Sequence, residues 1–141
     1  MNVQQCFEEG LLKKSSPDKE KAVRSLEKAD EKLSLASEEL NAGFSESAVL
    51  TAYTAMFHAS RAILFKDGVK ERSHYAIYVY LKEKYSDKIE ARFLNELNNL
   101  RLERHDIMYG LEKPKDVLKE EAQNIITTVT DFIVAIGKLV K

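Results

Sequence analysis

From Ser45 to Lys66 the sequence runs without glycine or proline, and the helix it would make is apolar on almost every side. Val49, Leu50, Ala52, Tyr53, Ala55, Met56, Phe57, Ala59, Ala62, Ile63, Leu64 and Phe65 leave only one polar line, Ser47, Thr51, Thr54, His58 and Arg61. Those polar positions recur at steps of four and three, so they share one face. A helix of this kind cannot stand at a surface; other elements must enclose it. The rest of the chain has to supply those elements with few turns, because 141 residues contain only 5 Gly and 2 Pro.

Long amphipathic segments answer that need. Ser16 as N-cap, Pro17 in the first turn and Asp18 at the positive end of the helix dipole predict a helix starting near residue 16. Val23, Leu26, Ala29, Leu33, Ala36 and Leu40 form its apolar stripe, while Lys21, Glu27, Lys28 and Glu31 read as its solvated face. Asn41-Ala42-Gly43 ends it, and Asp67-Gly68 ends the enclosed helix. Val69 to Arg72 reads as a loop. Ser73 caps a shorter, tyrosine-rich helix (Tyr75, Tyr78, Tyr80) through about Tyr85. Ser86-Asp87 then predicts a cap for a helix from about Lys88 to Leu111, its end bracketed by Gly110 and Pro114. Pro114 opens a last helix with the stripe Leu118, Ala122, Ile125, Val129, Ile133, Ile136 and Val140. The β-branched run Ile125 to Val129 lies inside that unbroken stripe and reads as helix. Residues 2–13 predict a short further helix with Val3, Phe7 and Leu11 on one side. The expectation is one all-α domain over residues 1–141, an up-and-down four-helix bundle with an additional short helix.

Composition narrows the function. A net charge of −1 is unlike that of proteins that live by non-specific phosphate binding, so any nucleic-acid contact must be local or made by an assembly. The single cysteine, Cys6, can form no internal bridge and reads as a reduced thiol in a cytoplasmic protein. The N-terminus MNVQQCFEEG is not a secretory signal, and apolar runs such as Phe132 to Ile136 are too short to suggest a membrane partner. One Glu-x-x-His spacing, Glu71 to His74, is too little for a di-metal bundle, and no glycine-rich phosphate loop, paired-cysteine motif or nucleophile elbow is present. No metal site or cofactor is expected.

One residue breaks the apolar pattern. Between about Lys88 and Leu111, Ile89, Phe93, Leu97, Leu100, Ile107 and Leu111 share a helix face, and Arg104 falls in its middle. Arg101 and His105 stand at its edge, with Tyr109 one turn beyond. A buried guanidinium needs a partner. Either it pairs inside the chain with an acid such as Asp30, or it faces a cleft or a seam between copies and binds phosphate through its planar fork. His58, Arg61 and His74 are the other candidate ligand-binding residues. For each histidine the alternative is plain: a hydrogen-bonded core position for His58, a surface position for His74. The tyrosines read as amphipathic packing or, if clustered at the surface, as a platform for bases.

Two segments resemble a hallmark of the HEPN family. One is Ala52-Tyr53-Thr54-Ala55-Met56-Phe57-His58-Ala59-Ser60-Arg61-Ala62-Ile63-Leu64, followed by Gly68 and Ser73-His74. The other is Leu97-Asn98-Asn99-Leu100, leading to Arg104-His105-Asp106-Ile107-Met108-Tyr109-Gly110. Glu9-Gly10-Leu11-Leu12 and Ala29 to Leu33 have the same flavour, so the resemblance spans nearly the whole chain. It implies a helical bundle that forms homodimers, in one branch as the substrate-binding partner of a minimal nucleotidyltransferase in toxin–antitoxin-type pairs. In another branch it implies a metal-independent ribonuclease toxin, with an arginine and, five residues on, a histidine acting on RNA. Arg104 matches that arginine and His105 the adjacent polar position, but Tyr109 replaces the histidine. A phenol titrating near 10 is a poor base at neutral pH. The resemblance therefore implies a non-catalytic, nucleotide- or RNA-associated accessory protein. Arg101, Arg104, His105 and Tyr109 would be at its ligand site. The alternatives are a ribonuclease in which Arg104, His105 and Tyr109 act, and a plain helical interaction module.

Overall fold

The helix from Ser45 to Asp67, α3, is the axis of the molecule, and its buried residues lie on most of its sides. A computed structural model describes residues 1–111 and 117–141. Around α3 stand α2 (Lys19–Asn41), α4 (His74–Tyr85), α5 (Ala91–Tyr109) and α6 (Lys119–Val140), and α1 (Val3–Glu8) packs on α4. Two short strands, β1 (Leu12–Lys14) and β2 (Val69–Glu71), pair antiparallel with Leu12 opposite Glu71 and Lys14 opposite Val69. The all-α bundle of four long helices is present, with two shorter helices among the described residues and the small β-pair added to it.

α2 packs against α3 and α6, and α3 also touches α5, α4 and β2. The turn Ala42-Gly43-Phe44 sends the chain straight back from α2 to α3, with Gly43 at φ +91. Met56, Ile63 and Leu64 of α3 are sealed from solvent, and each contributes about 1.5–3 kcal/mol by leaving water. Phe93 of α5 meets Phe132 of α6 edge-to-face at 5.7 Å, closing the core on that side. Cys6 is fully buried, and burial pushes its thiol pKa up. By length and a mean hydropathy of 1.2, α3 and α6 could each cross a bilayer. Here α3 is enclosed by its neighbours, and α6 turns Glu120, Glu121, Gln123, Asn124 and Asp131 outward.

Several boundaries differ from the sequence reading. The N-terminal helix stops at Glu8 because Gly10, at φ +75, turns the chain into β1 instead of carrying a helix to residue 13. The expected loop from Val69 is therefore partly strand. Asp18, not Ser16, caps α2, its carboxylate accepting from the Lys21 N–H at 3.0 Å. The segment before α2 is tied to the end of α3, the Ser15 N–H donating to the Gly68 carbonyl at 2.8 Å. α5 starts at Ala91 because Lys88 and Ile89 both donate back to the Tyr85 carbonyl in a tight turn, leaving Ser86 and Asp87 without a capping role. On α6 the inner face uses Ile126 and Phe132, while Leu118 is exposed. Ile125 to Val129 is helical, as its stripe predicts. Pro114 lies outside the described residues.

Candidate functional site

The Ser73 hydroxyl accepts from the Ala76 N–H at 3.3 Å and caps α4, which fixes His74 in the first turn. His74 thereby meets Tyr53, which α3 presents one turn before Phe57. The Tyr53 hydroxyl lies 2.7 Å from His74 Nδ1, and the Phe57 ring stacks on the imidazole at 4.4 Å. Burial raises the Tyr53 pKa to about 12 despite the opposing pull of Arg104 and Arg101, so the phenol keeps its proton and donates. Burial also lowers the His74 pKa, reinforced by Arg104, Arg101 and Arg61, so the imidazole is neutral at pH 7. With Nδ1 accepting, its proton sits on Nε2.

Three guanidiniums surround this pair. Arg104 stands 5.9 Å from the Tyr53 ring centre. Arg101 lies 5.1 Å from the Tyr75 ring and is held by Asn98 Oδ1, to which Nε and Nη2 donate at 3.3 and 2.9 Å. Arg61 lies over Phe57 and Phe65, at 5.5 and 5.0 Å. Its Nε is 2.7 Å from Glu71 Oε1, an ion pair in which the N–H is not aimed at the oxygen. Glu71 reaches that place because β2 is pinned to β1.

Neither Arg101 nor Arg104 has an ion-pair partner among the described residues. Asp30, the acid that could have neutralised Arg104, is exposed and bonds to neither. The guanidinium at the centre of the apolar stripe is thus half-buried over an aromatic ring, where the packed core ends. Such an arrangement attracts an anion and offers planar donors to phosphate oxygens.

The other candidates are apart from this cluster. His105 and Tyr109 are exposed, with ring centres 5.2 Å from one another. Five residues along a helix is a rotation of roughly 140°, so Arg104 and Tyr109 diverge. His58 lines a groove between α2 and α3 together with Lys21, Arg24, Arg61 and Phe65. Its carbonyl accepts from the Ser25 hydroxyl at 2.6 Å, and burial with Arg61, Lys28 and Lys32 lowers its pKa. His58 and His74 therefore face different surfaces that share Arg61.

The sequence reading passed over Tyr53 and Phe57 as core, and over Lys21 and Lys28 as a solvated face. A depression of about 700 Å³ lies apart from the arginines, near α1 and the end of α3. Lys14 and Lys84 alternate there with Asp67 and Glu83, and Asp67 is already occupied as acceptor for the Tyr80 and Tyr85 hydroxyls at 2.9 and 2.6 Å. Among the described residues no three His, Cys, Asp or Glu side chains converge as metal ligands.

Residues 22–139 match the family described as HEPN domain. The chain is also similar to the protein named "Putative toxin MJ0605" of Methanocaldococcus jannaschii. The two are 30% identical over 122 residues, which cover 82% of this chain and 86% of that protein.

Proposed function

The chain belongs to the HEPN family, and from that premise we propose that it is the HEPN member of a toxin–antitoxin-type pair, binding a phosphate-bearing ligand, nucleotide or RNA, without cutting it. One observation carries this reading. Arg101 and Arg104 stand side by side on α5 with no carboxylate partner among the described residues, over Tyr75 and Tyr53 and beside a neutral His74. Guanidiniums held by rings and an amide, not by acids, keep their forks available to phosphate. Exposed Tyr109, turned away from Arg104, supplies no base there.

In this reading the protein acts as a homodimer and as accessory to a minimal nucleotidyltransferase. Equilibrium titration with adenosine 5′-monophosphate and with short RNA tests the ligand. Arg104→Ala should weaken binding by about tenfold to a hundredfold, the worth of one charge-assisted contact. Unchanged affinity in that variant would defeat the assignment. Co-purification with a nucleotidyltransferase encoded beside it tests the partner.

A second reading is favoured by the relative's name and by His74. A ribonuclease needs an imidazole near the phosphate-binding arginine, and His74 is neutral at pH 7 within the field of Arg104 and Arg101. In that case His74, not Tyr109 or His105, is the base, and the Tyr53 hydroxyl must first turn away to free Nδ1. Metal-free incubation with RNA separates the readings: the first expects no cleavage, the second expects cleavage lost in His74→Gln and retained in Tyr109→Phe.

A further inference from the structure

We propose that the groove between α2 and α3 is a second phosphate-binding subsite, joined through Arg61 to the α5 cluster, so that one single-stranded polynucleotide lies across α2, α3, α4 and α5. The inference rests on reading Arg101 and Arg104 as phosphate ligands and extends it to residues on two further helices.

Lys21, Arg24 and Lys28 recur at steps of three and four, so α2 presents them along one edge spanning about 10 Å. Across the groove α3 presents His58, Arg61 and Phe65. Five of these six side chains are cationic or can become so, in a chain whose net charge is −1. Four of the chain's 22 lysines and arginines thus line one groove. Among the described residues two carboxylates pair with groove cations: Glu31 meets Lys28 at 3.4 Å in an exposed pair, and Glu71 meets Arg61. An exposed pair of that kind is worth little and yields readily to phosphate.

Arg61 makes the surface continuous. It lines the groove, lies over Phe57, and with Arg104 and Arg101 acts on His74, which Phe57 stacks against. Partly exposed rings thus lie among the cations, Phe65 and Phe57 beside Arg61 and Tyr75 beside Arg101, while buried Tyr53 backs Arg104. Cations that follow a backbone, interleaved with rings on which bases stack, suit a single strand better than a duplex, whose bases are already stacked on one another.

The test uses fluorescence anisotropy with a labelled oligouridylate of about 12 nucleotides, long enough to reach both subsites. Adenosine 5′-monophosphate serves as the short probe. The variant Lys21→Gln/Arg24→Gln/Lys28→Gln changes exposed or groove-edge positions and should keep the wild-type circular dichroism and melting temperature. It should weaken oligonucleotide binding at least tenfold. It should also reduce the slope of log affinity against log salt by about 2, three phosphate contacts at roughly 0.7 each. Its affinity for adenosine 5′-monophosphate should be unchanged.

Oligonucleotide binding equal to wild type in the triple variant overturns the proposal. So does an equal loss in Lys84→Gln/Lys88→Gln/Lys138→Gln, which removes the same charge away from the groove. Binding to phosphatidylserine vesicles that the triple variant abolishes while oligonucleotide binding persists also overturns it, in favour of a membrane surface. Arg104→Ala distinguishes the two levels of argument. If it leaves both probes unaffected while the triple variant loses the oligonucleotide, the α5 reading falls and the groove stands as a polynucleotide site.

Discussion

His74 concentrates the chemistry of the molecule in one side chain: a phenol donates to it, a ring covers it, and three guanidiniums surround it. Its pKa and that of His58 lie below the ordinary 6.5. Above that pH both are neutral, folded or unfolded. As pH falls through 6.5 toward the lower folded values, the unfolded chain takes up protons first, so stability declines. Urea unfolding between about pH 7.5 and pH 5 should show that decline, and His74→Gln should flatten part of it; a profile unaltered by the substitution would contradict the burial of charge described for this site. Phosphate bound by Arg101 and Arg104 would offset two of the charges that hold the imidazole neutral. An NMR titration should therefore show the His74 pKa rising when phosphate is added. Tyr80→Phe removes a hydroxyl bonded to Asp67 from a nearly buried position and should cost about 1 kcal/mol in chemical denaturation.

Single elements carry their own consequences. Gly68 ends α3 at φ +77, and a Cβ there would lie 2.7 Å from the Ser15 carbonyl oxygen and 2.9 Å from Pro17. Gly68→Ala therefore adds a left-handed strain of about 1–2 kcal/mol to a collision with backbone. Its melting temperature should fall by several degrees, and an unchanged value would mean the strap before α2 can move aside. Gly68 and the Ser73 cap were legible in the sequence, as were the ends of α4 and the helical state of Ile125 to Val129. β1 and β2 were not: strands of three residues, with one buried position each, carry too little alternation to be read. The start of α5 was missed because Ser86-Asp87 looks like a cap, whereas the Lys88 and Ile89 N–H groups, from which such a cap would accept, donate to the Tyr85 carbonyl. Arg104 announced itself by interrupting an apolar stripe. Lys21, Arg24 and Lys28 did not, since nothing in the repeat of α2 shows that His58 and Arg61 stand opposite. His105 and Tyr109 were grouped with Arg104 by their place at the edge of its helix face and by the family resemblance; in the structure both are exposed.

At the scale of the whole molecule, α5 outruns the body it packs on. Its last turn carries Met108, 50% exposed, and Leu111 just beyond the helix is 102% exposed. Leu102 and Leu118, also exposed, add apolar surface in these parts of the chain. In the homodimeric reading a second copy covers this end. Met108→Glu/Leu111→Glu should then halve the mass measured by sedimentation equilibrium while the helical circular dichroism is kept; a wild-type protein that sediments as one chain would remove the dimer. The cationic side has another consequence. Its members are drawn from four separate stretches of sequence, and the excised peptide of any one helix would carry only a fraction of them. A synthetic copy of α5 alone would hold Arg101 and Arg104 without Tyr75 and Tyr53, the rings beneath them, so whatever this face grips, it grips only once the chain has assembled itself.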